Sequence, residues 1–138
     1  MEPDENKISD DVITAEFNRF VDEMDLDLDP AFMDEDELRT FEKHKRRLFE
    51  AMRRGALVIN ENGEAVYTPQ KDANAKPITF HERTGASLMA TNGVQKGHDA
   101  TKMYRMLADM CQEHPSRFSK LRGIDIKICE ILFGLLMD

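Results

Sequence analysis

Cys111 and His114 stand three residues apart, a spacing that puts two zinc ligands on one face of a helix. Cys129, His81 and His98 are the residues that would complete such a site. Structural zinc sites present two close ligand pairs and this chain has one, so the favoured reading is buried thiols and a surface histidine beside Pro115. Asp25, Asp27 and Asp29 alternate like the opening of a calcium loop. Pro30 follows where that loop needs its turn glycine, and the distant glutamate is missing, which leaves a solvated acidic turn. The glycine-rich stretch at 92–98 lacks the Gly-Lys-Ser/Thr ending that cradles phosphates, and no strand feeds it. Ser87, Ser116 and Ser119 have no nucleophile-elbow context, and His98-Asp99 has no third partner. The sequence therefore predicts no catalytic residue, no bound metal and no cofactor. The chain reads as a non-enzyme.

One further run carries chemistry of another kind. Lys43, His44, Lys45, Arg46 and Arg47, continued by Arg53 and Arg54, would attract phosphates. Only Phe41 and Phe49 are near enough in sequence to stack on bases, and on a helix these charges spread around the cylinder. Pairing with an acidic segment or a protein partner is the better reading. The charge balance agrees. Residues 1–42 carry 16 acidic and 3 basic side chains, −13, and residues 43–138 carry 16 basic and 11 acidic, +5, giving the net −8. An acidic arm on a mildly basic body repels a phosphodiester backbone and suits a protein partner.

Length and composition bound the rest. A chain of 138 residues with 41% hydrophobic and 33% charged side chains has room for one core of moderate size. The N-terminus is acidic, unlike a secretory leader, and no run reaches the roughly 18 apolar residues of a membrane span. Two cysteines make no disulfide framework. The compartment this implies is a reducing cytoplasm, with no membrane partner. Nine methionines and no tryptophan give adaptable apolar contacts, either in the core or at a partner surface.

The elements that must position these residues follow from period and punctuation. Residues 1–11 read as a disordered acidic tail. Ile13, Phe17, Phe20 and Met24 recur at helical spacing over 12–24, with Ser9, Asp10 or Asp11 as the cap. Asp34 caps a second helix that ends at Gly55, so 12–55 forms an amphipathic helical hairpin arm. Residues 56–138 form an α+β core. Its first part is a hairpin, 57–59 and 65–68, turned at Asn62-Gly63, with 78–80 as a third strand. A short helix at 84–91, a helix from Asp99 to about Glu113, a turn through Phe118 and Leu121 and an apolar last helix to Met137 complete it. The predicted fold is α+β and mainly helical: helical hairpin, small antiparallel β element, C-terminal helical bundle.

From Gly63 onward the order of elements resembles the tail assembly chaperones of long-tailed bacteriophages. The resemblance rests on the glycine-turn hairpin, Pro77-Ile78-Thr79-Phe80, Glu82-Arg83-Thr84-Gly85-Ala86, and Gly123-Ile124-Asp125 opening an apolar C-terminal helix. Arg83-Thr84 stands where many members have Pro-Thr, and the acidic hairpin at 1–54 lies outside the shared part. The resemblance implies a protein-binding chaperone in the bacterial host cytoplasm. Its partners would be the tape measure protein and the tail tube protein, and it would be absent from the finished virion. Homo-oligomerisation stays open. Met103, Met106, Met110, Leu132, Leu135 and Leu136 are the residues expected to meet the client, unless they form the domain's own core. The rival readings are a structural virion component, such as a connector or minor tail protein, and a regulatory nucleic-acid-binding module using the 43–54 helix.

Overall fold

The computed structural model describes residues 8–72, 75–82, 84–85 and 99–137. Helix α1 (Asp10–Glu23) starts where the Ser9 hydroxyl accepts the Val12 N–H at 3.4 Å. Asp10 and Asp11 thus belong to the helix, where their charges complement its positive end, and not to the acidic tail expected at 1–11. Residues 1–7 of that tail lie outside the described residues. Ile13, Phe17, Phe20 and Met24 are buried, as their spacing predicts.

The end of α1 is closed by a Schellman pair. Leu26 N–H reaches the Val21 carbonyl at 3.0 Å and Asp25 N–H that of Asp22 at 3.3 Å, with Asp25 itself at φ 53°. The Asp cluster then turns the chain. Asp29 caps a single 3-10 turn (Pro30–Phe32) by accepting the Ala31 N–H at 2.9 Å. Asp34 accepts the Glu37 N–H at 2.8 Å and starts α2 (Glu35–Arg53). Helix α2 ends as expected at Gly55, φ 76°, again in a Schellman pair: Ala56 N–H to Ala51 O and Gly55 N–H to Met52 O, both 3.0 Å.

The two helices run antiparallel. The last turn of α2 meets the first turn of α1 through Arg53 and Asp10 at 2.9 Å, and Phe49 meets Phe17 edge to face with centroids 5.4 Å apart. Lys45 lies over both rings, 5.7 and 5.5 Å from their centroids, where the aromatic faces attract its charge. The basic run therefore engages its own acidic hairpin at Arg53 and its aromatic residues at Lys45.

Strands β1 (Leu57–Ile59), β2 (Ala65–Tyr67) and β3 (Ile78–Phe80) form one antiparallel sheet in that order. Leu57, Tyr67 and Ile78 stand in register, as do Ile59, Ala65 and Phe80. Alternation sends Leu57, Ala65, Tyr67, Ile78 and Phe80 into the core, while Val58, Val66 and Thr79 take the other face. The hairpin turn at 60–63 closes on Gly63 N–H to Asn60 O at 3.0 Å. Gly63 has φ 80°, and a Cβ there would lie 2.5 Å from Cβ of Glu23, so both backbone geometry and the neighbouring helix demand glycine. The Arg19 guanidinium donates to the carbonyls of Ile59 at 3.0 Å and Asn60 at 2.7 Å, covering part of the β1 edge.

The expected helix at 84–91 and the glycine-rich 92–98 lie outside the described residues, apart from Thr84 and Gly85. Helix α3 (Asp99–Cys111) packs against β3 and against the short α4 (Ser116–Ser119), and α5 (Ile124–Met137) touches α2. The fold is thus α+β and mainly helical, with five α-helices and one three-stranded sheet among the described residues. A single apolar cluster joins Ile13 and Phe17 of α1 and Leu48 of α2 to Tyr67 and Phe80 of the sheet and Ile128 and Leu132 of α5. The hairpin at 12–55 and the body at 56–138 share that core.

Candidate functional site

Among the described residues no three of His, Cys, Asp and Glu come together around a metal-sized space; His98 lies outside them. Cys111 and Cys129 are buried free thiols. Burial, then the nearby Asp125, pushes the Cys129 thiol up to about 12, and burial likewise raises that of Cys111, so both stay protonated. Among the described residues the His114 ring bonds Ser116, through hydroxyl and backbone, two residues on. Asp25, Asp27 and Asp29 act in helix ends and turns.

The expected partner-binding residues divide. Met110, Leu132, Leu135 and Leu136 are all buried in the chain's own core. A helix apolar nearly all round is covered on most sides, and α5 is covered by the rest of the fold. Met103 and Met106 are half-buried on α3. Leu135 alone of the six lines an open groove.

That groove, about 500 Å³, lies between the first half of α2 and the second half of α5. Leu28, Met33, Phe41, Ile131 and Leu135 form its apolar lining. Asp34 fixes where α2 begins, and Leu28 and Met33 reach the groove from the acidic turn that α2 follows. Phe32, next to Met33, is 82% exposed. Gly134 opens the α5 side: it sits inside a helix, it is exposed, and a Cβ there would meet nothing within 4 Å. A glycine inside a helix costs about 0.5–1 kcal/mol relative to alanine. Among the described residues no contact requires it, whereas a second backbone approaching α5 would.

The charges run along the groove. Asp36 and Glu37 stand at one end and Glu130 on the α5 wall. Beyond His44 the groove continues into a cleft of about 200 Å³ whose lining includes Lys43, Arg47 and Lys127. Burial, then the charges of Arg47 and Lys43, holds the His44 ring below its ordinary value, so at neutral pH it is an uncharged donor and acceptor between the two ends. The arrangement can bind an amphipathic helix. The apolar stripe of such a helix would meet the lining, and its positive N-terminal end would lie toward Asp36 and Glu37.

Leu28, Met33, Ile131 and Gly134 were not singled out by sequence reasoning. The available signals were leucines set between aspartates and a lone glycine inside an apolar helix. No family model, curated protein or solved structure matches the chain.

Proposed function

We propose that this chain is a non-enzymatic protein-binding chaperone of phage tail assembly, acting in the bacterial host cytoplasm. In this reading the groove between α2 and α5 holds a helix of the tape measure protein while tail tube subunits assemble around that client. The observation that carries the binding role is the open apolar groove with Gly134 at its side. The phage assignment rests on the order of elements from Gly63 to Met137, with Asp125 opening the last helix. The nucleic-acid alternative is weaker, because Lys45 and Arg53 of the basic helix are engaged within the chain.

The test is co-purification of the tagged chain from its native context, with mass spectrometry of both eluate and mature particles. The chaperone reading expects a very long helix-rich protein in the eluate and no copy of the chain in particles. Stoichiometric presence in particles would replace it with the structural virion component, a connector or minor tail protein. Gly134→Trp, which fills the groove from its open side, should abolish capture with an unchanged circular dichroism spectrum. Gly134→Ala should weaken capture while stabilising the free chain by about 0.5–1 kcal/mol.

A further inference from the structure

We infer that this chain pairs with a second copy of itself about a two-fold axis, each copy seating its Phe32 turn in a basic cleft on the other. Phe32 is 82% exposed, more than any other large apolar side chain among the described residues. The turn that carries it is pre-ordered. Asp29 accepts the Ala31 N–H at 2.9 Å, Pro30 opens the turn, and Phe32 N–H reaches the Asp29 carbonyl at 3.1 Å. An aromatic ring on a fixed turn loses little freedom on docking, which suits an interface anchor.

The turn is also strongly acidic. Seven acidic residues and no basic one lie from Asp25 to Glu37. Arg39 meets Glu35 and Asp36 at 3.8 Å, with all three side chains at least 74% exposed, so those pairs are screened by water and leave the turn negative. The cleft has the opposite sign. It holds about 200 Å³ between α2 and α5, lined by Lys43, Arg47 and Lys127 with buried Ile131. Glu130 lines it too, so three cations stand to one carboxylate. An apolar residue among cations fits a ring flanked by carboxylates. The ring of Phe32 meets Ile131, the Arg47 guanidinium stacks on its face, and the lysines meet the carboxylates.

Both surfaces lie along one helix. Phe32 just precedes α2, and the α2 wall of the cleft runs from Lys43 to Arg47, about 16–22 Å further on at 1.5 Å per residue. A two-fold axis crossing α2 near exposed Thr40 lays the two helices antiparallel. It sets Glu37 opposite the second copy's Lys43 and the Phe32 turn opposite its Arg47, and the same contacts recur in return. Parallel pairing would set acid against acid and base against base. Reciprocal contacts close the assembly at two copies. The pairing needs no client, so its test is independent of capture.

The experiment is sedimentation equilibrium of the full chain alone at about 100 µM, where a modest interface is populated. The mass of two chains is expected at low salt, falling toward one in about 1 M salt, where the Debye length is about 3 Å. Phe32→Ala should raise the dimer dissociation constant at least about tenfold with an unchanged circular dichroism spectrum. Lys43→Glu with Lys127→Glu changes exposed residues and should give a monomer, as should Asp36→Lys with Glu37→Lys. Mixed in equal amounts, these two double variants should form a heterodimer, because each reversed turn then meets a reversed cleft. A chain that stays monomeric at low salt leaves the cleft to another partner and overturns the inference. So does a dimer indifferent to Phe32→Ala, a mixture that stays monomeric, or a mass that keeps growing with concentration.

Discussion

Asp125 is the only charged side chain buried among the described residues, and its three hydrogen bonds explain why it tolerates that position. A carboxylate accepts several donors where an amide has one acceptor oxygen, so Asp125→Asn places an N–H₂ against groups that also donate. It should cost about 2–4 kcal/mol in urea unfolding, and Tyr67→Phe about 1–2 kcal/mol, since only one donor is then lost. Burial, then Asp125, raises the Tyr67 hydroxyl above its ordinary value, so it remains a donor throughout the accessible pH range. A second clasp spans β2 and β3, where the His81 Nδ1 meets Glu64 Oε2 at 2.5 Å. Burial opposes the Glu64 charge, but hydrogen bonds from Asn60 and His81 outweigh it and hold the carboxyl below its ordinary 4.5. A folded-state value below the unfolded one gives stability that is present above about pH 4.5 and lost as pH falls through the folded value. Asp34, held low by the Glu37 and Asp36 backbone, adds to the same acid limb. Melting curves between pH 5 and about 3 should therefore fall less steeply for Glu64→Gln than for the unmodified chain.

At the scale of elements, one device ends three helices with three different residues. Gly55, Asp25 and Gln112 all take positive φ, and Glu113 N–H to Ala108 O at 2.8 Å with Gln112 N–H to Asp109 O at 3.2 Å repeats the Schellman pair after α3. Glycine makes that end visible in a sequence; aspartate and glutamine hide it. The second helix was thus legible to its last residue from Asp34 and Gly55, while α3 was placed by its methionines and Pro115, with its actual stop at Cys111 unmarked. The left-handed geometry costs a residue with a Cβ about 1–2 kcal/mol, partly offset by the chain entropy of glycine. Gln112→Gly should accordingly raise stability by about 0.5–1 kcal/mol, read as a higher melting temperature. The sheet was legible for a different reason. Asn62-Gly63 marks the turn and the β-rich runs alternate, so three short strands fell where the period changed. What could not be read was that Gly63 also makes room for Glu23 of α1, because that contact joins residues 40 positions apart in the chain.

The whole molecule accounts for what the sequence left undecided at the site. Met110 and Leu135 are both buried in the core, yet Leu135 also borders the groove. The difference comes from how α2 crosses α5, and no local spacing encodes that crossing. Leu28 and Met33 flank a turn of aspartates, and their role became visible only once the turn had folded beside α5. The charge asymmetry, by contrast, was legible from counting and reappears as a contact between Arg53 and Asp10.

Cys111 and Cys129 give this molecule a built-in clock. Protonated and enclosed, neither thiol reacts with an alkylating reagent until the surrounding helices part, so the labelling rate reports how often the core opens. Cys129 belongs to the same helix as the groove wall. Any ligand seated on α5 in the native state lowers the open population by the factor 1 + [L]/Kd. The modification of one sulfur atom, timed with and without a peptide, thus measures the occupancy of a surface that the sulfur never touches.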